Sequence, residues 1–269
     1  GYNQRTGQSI GVKLEIEDIV NLSKQLGLND KSGIEINVPS EFSGGVPDPQ
    51  QKTITTKYLL RQYLVGNIEK YLKDGVLLEQ EEKDSIIEEI LTWIEYEEPI
   101  TRNEVRRRLD KLGIDPDKRL PGERNSLTDK IKYTYLNQVG WNLSDTLNVT
   151  IGQGLNAYTT IQMANFISTL SNGGYRHEVS LIESVKNYNN TISKYEHEAN
   201  PERIVLNDYE NLEHVKKGMG MVSSEGTARS IFRNFPVNVA SKTGTAQRSG
   251  VNPSTGENFD DFAWFVAFA

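Results

Sequence analysis

Lysine, two threonines and a glycine occupy four consecutive positions, Lys242-Thr243-Gly244-Thr245, late in the chain. Lysine supplies a positive charge and the threonines supply hydroxyl donors, while the glycine leaves room for a substrate backbone to lie against the chain. Such a set suits an anionic, peptide-like ligand. The preceding residues, Phe235 to Ala240, are apolar and partly β-branched, which predicts a strand running into the polar set without a turn. Neighbours on a strand point apart, so Ser241 is expected to be structural rather than a nucleophile partnered by Lys242. The same alternation puts Lys242 and Thr243 on opposite faces, a tension that a twisted strand beside a cleft would relieve.

The elements that must position this set are helices and short strands. The spacing predicts an amphipathic helix over 13–26 with Gly27 as its C-terminal stop, an alternating strand Ile34–Val38, and an irregular loop over 39–49. Residues 53–138 change character, with many nearly balanced charges and no strand pattern. Leu60, Leu64, Ile68 and Leu72 recur at helical spacing, as do Ile86, Ile87, Ile90, Leu91 and Ile94 before Pro99. Thr101-Arg102-Asn103-Glu104 fits a capping box that opens a helix over Val105–Leu112, and Ser126–Gln138 is a fourth helical stretch. This segment is expected to be a helical insertion with its own core, and Arg106-Arg107-Arg108 a solvated face of it.

Beyond it, Leu147–Ile151 reads as a strand leading into Gly152-Gln153-Gly154-Leu155-Asn156-Ala157, which has the spacing of the dinucleotide-binding glycine motif. The next helical pattern begins only near Thr159 or Thr160, and no strand ending in an acid follows at the required distance. Nucleotide binding is therefore not expected. A β-meander over 179–206, a helix over Leu212–Val222 and a buried strand over Phe262–Ala269 complete the pattern. Because the sequence stops inside that last strand, the natural protein is expected to continue past Ala269.

Composition narrows the function classes. With 269 residues and a net charge of −7, the chain carries no clustered basic surface for nucleic acid. No apolar run reaches membrane-spanning length, and no signal peptide begins the chain. The absence of cysteine excludes disulfides and thiolate chemistry. His177, His197 and His214 are too dispersed to pair as metal ligands, so neither metal nor cofactor is expected.

In order along the chain come Gly152-Gln153-Gly154, Gln162-Met163-Ala164-Asn165, Asn172-Gly173-Gly174, Gly226-Thr227-Ala228, Lys242-Thr243-Gly244-Thr245-Ala246-Gln247 and Ala263-Trp264-Phe265-Val266. This ordered set resembles class B penicillin-binding proteins, and Ser32-Gly33-Ile34-Glu35 with Gly44, Gly45 and Pro47 resembles a segment ahead of their third motif. The resemblance covers 1–52 and 139–269 and is expected to fail over 53–138, dividing the chain into three parts. It implies an α+β, β-lactamase/transpeptidase-like fold: an antiparallel sheet flanked by helices, incomplete here and interrupted by a helical subdomain.

It further implies a D,D-transpeptidase that cross-links peptidoglycan stem peptides through an acyl-enzyme, is trapped by β-lactam antibiotics and works with other cell-wall synthesis proteins. The location implied is the extracytoplasmic face of the bacterial membrane, with any anchor ahead of these residues. In the family's terms Lys242 tunes the electrostatics, Thr243 and Thr245 hold the substrate carboxylate, Gly244 gives the backbone room, and the Thr245 amide serves the oxyanion hole. The sequence departs from the pattern in containing neither Ser-x-x-Lys nor Ser-x-Asn. The nucleophile is expected ahead of Gly1, and this chain alone is expected to be inert. Two other readings stay open: a β-lactam-hydrolysing or β-lactam-sensing relative, and a non-catalytic scaffold that uses the helical insertion as its surface.

Overall fold

Where a helix begins in this chain is set by side chains that take up its free amides. The computed structural model describes residues 2–3, 8–9, 14–96, 98, 100–248, 250–252 and 254–269. Lys13 at the start of the first expected helix, the stop at Pro99, and Ser249 and Pro253 lie outside the described residues. The described chain forms two compact units, Pro47–Asp145 and Gly1–Val46 with Thr146–Ala269.

In the Pro47–Asp145 unit, Asp48 accepts the Gln51 amide at 2.7 Å and opens α2 (Pro49–Asn67), which follows α1 (Ile16–Gln25) in the chain. A 3-10 turn Ile68–Tyr71, α3 (Gln80–Thr92) and α4 (Arg102–Lys111) come next, then α5 (Leu127–Asp129) running into a π-helical turn Lys130–Leu136. Their inner stripes meet in one core that includes Leu60, Leu64, Ile87, Ile90, Trp93, Leu109 and Ile131. Burying such side chains contributes about 1.5–3 kcal/mol each. The expected capping box is only half present: Thr101 accepts the Glu104 amide at 3.2 Å, but the Glu104 carboxylate turns to Arg107 and Arg108 at 2.7 Å. Two of the three consecutive arginines are thus paired to one acid, and Arg106 is paired to Asp117 at 2.6 Å. Lys52, buried near the start of the unit, donates to the Gly140 carbonyl at 2.8 Å and to Asp145 at 2.7 Å, closing the segment end to end.

In the other unit, α6 (Leu143–Thr150, its first residues belonging to the preceding unit), α7 (Thr160–Ser171), α8 (Glu210–Ser224) and the short α9 (Arg229–Phe232) accompany, among the described residues, four two-stranded antiparallel ribbons. These pair β1 (Tyr2–Asn3) with β2 (Gln8–Ser9), β3 (Tyr175–Arg176) with β6 (Glu202–Arg203), β4 (Ser184–Lys186) with β5 (Ser193–Glu196), and β7 (Ala240–Ala246) with β8 (Phe262–Phe268). The first three are short; the last has seven residues in each strand.

Several expected strands take other forms. Leu147–Ile151 lies at the end of α6, because Asn142 and Asp145 exchange backbone and side-chain bonds at 2.9 and 3.2 Å and start a helix ahead of it. The β7 strand begins at Ala240, not Phe235. The expected meander over 179–206 is split, with β4 and β5 as a hairpin and β6 pairing instead with β3. β8 is half exposed rather than buried, with Phe262 at 52% and Phe265 at 49%, since among the described residues it pairs with β7 alone.

Ile34–Val38 forms no strand, because Glu35 is used elsewhere. Its carboxylate accepts the Ser180 hydroxyl at 2.7 Å and the Leu181 and Ile182 amides at 3.1 and 2.6 Å. The Ser180 hydroxyl, followed by backbone amides, holds the carboxyl at about 2, well below its unfolded value near 4.5. A depressed folded value means the clasp is at full strength above about 4.5 and is lost as pH falls through about 2. Amide exchange corrected for intrinsic rates should therefore show Leu181 and Ile182 losing protection between these limits, and Glu35→Gln should remove that pH dependence. Equal protection at both ends of the range would show that the clasp contributes nothing.

Candidate active site

The β7–β8 ladder runs from Ala240↔Phe268 through Lys242↔Val266 and Gly244↔Trp264 to Ala246↔Phe262. Side chains alternate across it, so Lys242, Gly244, Trp264 and Val266 share one face and Ser241, Thr243, Thr245 and Phe265 the other. On the second face, the Ser241 hydroxyl lies 2.6 Å from that of Ser223 in α8, both buried, and Phe265 stacks on Phe232 with ring centres 5.9 Å apart. The bend Gly226-Thr227-Ala228 after α8 brings the Thr227 hydroxyl to 3.3 Å from that of Thr243.

On the first face is a cavity of about 500 Å³, lined by Lys242 to Ala246, by Phe262, Trp264 and Val266 of β8, and by Met163, Tyr158 and Phe42. Gly244 packs closely here, since an added Cβ would stand 3.3 Å from the Trp264 Cβ. Lys242 is exposed, and its ammonium donates to the Thr243 carbonyl. The structure therefore gathers Lys242, Thr243, Gly244 and Thr245 on one strand but does not put them on one face. Lys242 is separated from the two threonine hydroxyls, which share the α8 side of the ribbon.

The glycine motif over 152–157 is the far end of a helix, not a phosphate cradle. The Gln153 amide bonds back to Asn148 O at 2.9 Å and the Gly152 amide to Val149 O at 3.0 Å, the paired bonds of a Schellman stop. Gly152 sits at φ +74°, the left-handed region that this stop requires and that a side chain would strain. The turn is braced by Asn156, which donates to Val149 O at 3.2 Å and Gln153 O at 2.9 Å and accepts the Tyr158 hydroxyl at 2.5 Å. Burial pushes the Tyr158 phenol up to about 12, so it remains a donor throughout the neutral range.

Held in this way, the Gln153 carboxamide reaches β7: its Nε2 donates to Thr245 O at 3.1 Å, and its Oε1 accepts the Gln247 amide at 3.1 Å. No role for Gln153 or Thr227 is legible from spacing, because each acts on a strand about 92 or 16 residues away. Among the described residues, no group of three His, Asp or Glu could hold a metal ion, and no helix is long and apolar enough to cross a membrane.

A family model described as the penicillin binding protein transpeptidase domain matches residues 94–269, well over half of the 269. The chain belongs to the penicillin-binding protein transpeptidase family. Penicillin-binding protein H of Bacillus subtilis is 34% identical over 105 residues, 38% of this chain and 14% of that protein. Peptidoglycan D,D-transpeptidase MrdA of Haemophilus influenzae is 30% identical over 138 residues, 48% of this chain and 21% of that protein. The crystal structure of PBPA from Mycobacterium tuberculosis is 23% identical, over 47% of this chain and 28% of that one, with a TM-score of 0.39. The chain thus spans about a seventh to a fifth of the curated relatives it matches.

The class B penicillin-binding protein resemblance carried by the motifs is therefore family membership, and the fold class is the α+β transpeptidase type, incomplete over this span. The match starts at Ile94, so the family pattern reaches back into 53–138, where the motif resemblance was expected to fail. Helical stripes of that segment carry no fixed polar signature that a motif could register. In this chain, the buried Ser223–Ser241 pair makes a direct test of strand seating. Ser241→Ala leaves the Ser223 hydroxyl buried without its partner and should destabilise by about 1–3 kcal/mol in urea unfolding, whereas the double alanine variant should recover part of the loss. A single variant as stable as the parent would remove that contact from the seating of β7.

Proposed function

We propose that this chain supplies the lysine-threonine-glycine wall of a peptidoglycan D,D-transpeptidase. The observation that carries this reading is β7 itself, which presents Lys242 to Ala246 along the 500 Å³ cavity and, among the described residues, pairs with a strand on one edge only. An extended stem peptide can add to such an edge by main-chain pairing. Thr243 and Thr245, on one face, are the hydroxyl donors for its carboxylate. Lys242, on the other, contributes a positive field rather than a contact.

In the reaction, a serine oxygen attacks the carbonyl carbon of the D-Ala-D-Ala bond, and the carbonyl oxygen takes up negative charge that the Thr245 amide is positioned to receive. The peptide C–N bond then breaks, the serine's hydroxyl proton passes to the leaving nitrogen, and the terminal D-Ala departs as the free amine. An amine of a second stem attacks the ester, forming the cross-link and freeing the serine. A β-lactam follows the first half and stops at the ester.

No Ser-x-x-Lys occurs in these 269 residues, so the serine comes from outside this span, and the chain alone is inert. The matching protein named as a D,D-transpeptidase supports the reading. It places the working protein on the extracytoplasmic face of the membrane, among other cell-wall synthesis proteins.

The test is labelling with fluorescent penicillin. The full-length protein should form a denaturation-resistant adduct that persists for hours, on a serine outside the 269 residues, while the 269-residue chain stays unlabelled. Fast release of hydrolysed drug would make the protein a β-lactamase-like or sensing relative; no adduct at all would make it a scaffold. Within the labelled enzyme, Lys242→Ala should slow acylation at least about tenfold, about 1.4 kcal/mol, through loss of that field. An unchanged rate would refute the role of Lys242.

A further inference from the structure

We infer that Gln153 is a positioning residue for acyl transfer, clamping the end of β7 so that the Thr245 amide is held in place and edge pairing stops there. The inference rests on the transpeptidase reading. In an antiparallel ladder, each residue turns both its backbone groups either toward its partner strand or away from it. Because Thr245 O accepts the Gln153 carboxamide, Thr245 belongs to the outward set, and alternation puts Thr243 and Gln247 in the same set. Two further bonds agree: the Lys242 ammonium finds Thr243 O, and the Gln247 amide finds Gln153 Oε1. The Thr245 amide accordingly lies on the same outer edge.

A primary carboxamide offers a donor and an acceptor side by side, as a peptide group of a third strand would. Gln153 uses both, at 3.1 Å each, on the two outward groups that follow the Thr245 amide. It thereby fixes the peptides on the C-terminal side of Thr245 and leaves the amide on its N-terminal side unclamped. An incoming peptide can pair with Thr243 and with the Thr245 amide but meets the carboxamide beyond them. The clamp is stiff because its base is stiff: the Gln153 backbone is the last member of the α6 stop, and its carbonyl is held by Asn156, which Tyr158 orients. Gln153 acts through Thr245 and touches no reacting atom, so its effect belongs in the rate of the bond-making step.

Acylation of the full-length protein by benzylpenicillin, followed over a range of drug concentrations, separates that step from binding. Gln153→Ala should lower the maximal acylation rate by about tenfold or more, short of the 10² to 10³ that loss of an oxyanion donor costs, with the half-saturating concentration and the melting temperature little changed. Gln153→Glu keeps the acceptor for Gln247 but cannot donate to Thr245 O at neutral pH, and should fall between the two. Amide exchange in the same full-length proteins reads the clamp without activity: Gln247 should exchange faster in the alanine variant and stay protected in the glutamate variant. A wild-type maximal rate in Gln153→Ala, or Gln247 exchange unchanged by it, overturns the inference. If the alanine variant does not fold, the glutamate variant decides alone, and a wild-type rate there overturns it as well. A parent protein that is never acylated instead sinks the transpeptidase reading and the catalytic half of this one, leaving the exchange measurement to judge the clamp.

Discussion

Backbone amides and carbonyls must be paired, and the unit that carries Lys242 has few long strands to pair them with. Side-chain carboxamides and carboxylates take the place of missing strands. Asn29 exchanges two bonds of 3.2 Å with the backbone of Val46, as a strand neighbour would. Gln162, buried in the first turn of α7, caps its own helix through Thr159 and donates to Asp30 O and Ser43 O. Gly44 is obligatory beside it, because an added Cβ would stand 2.2 Å from the Gln162 oxygen. Glu35 does the same for residues 180–182, and Gln153 for β7. Each of these groups joins segments apart in sequence, so the paths of these segments depend on side chains of fixed reach.

That economy shapes the chemistry of the strand. A ribbon of two strands with a helix on each face has one face for packing through Ser241 and Phe265 and one that looks into a cavity. Alternation divides the lysine from the threonines. Their roles divide accordingly. A charge acts at several ångströms through its field, whereas a hydroxyl must touch what it recognises. The division is therefore compatible with acyl transfer if the ammonium sets the potential and the hydroxyls make the contacts.

Much of this arrangement was legible in the sequence, and the exceptions are short strand patterns. Helical stripes and caps are local, so α2, α3, α4 and α7 fall where Leu60, Ile87, Thr101 and Thr159 indicate. Ladder partners are not local. Ile34–Val38 has strand alternation, yet Glu35 spends its carboxylate on amides about 147 residues away, and no partner strand forms. Leu147, Val149 and Ile151 alternate as a strand would, but the helix started by Asn142 and Asp145 buries Val149 and leaves the other two exposed. A distant partner in the first case and a helix start just upstream in the second override propensity where the pattern is only five residues long.

The glycine motif over 152–157 shows how one spacing serves opposite ends of a helix. A glycine-rich phosphate loop precedes a helix so that free amides point at the ligand. Here the glycines follow α6, and its last carbonyls are what must be satisfied; left-handed glycine and the bonds back to Asn148 and Val149 do this. The consequence is a reversed polarity of function. A loop at a helix start offers donors to an anion, while this one, with the Gly152 and Gln153 amides consumed in the stop, offers a side chain to β7. Between two glycines that side chain stands clear of neighbours, and a carboxamide is the one group of that length able to give a proton to Thr245 O and take one from the Gln247 amide at once. The residue between the glycines, not the glycines, is where the chemistry of this segment resides.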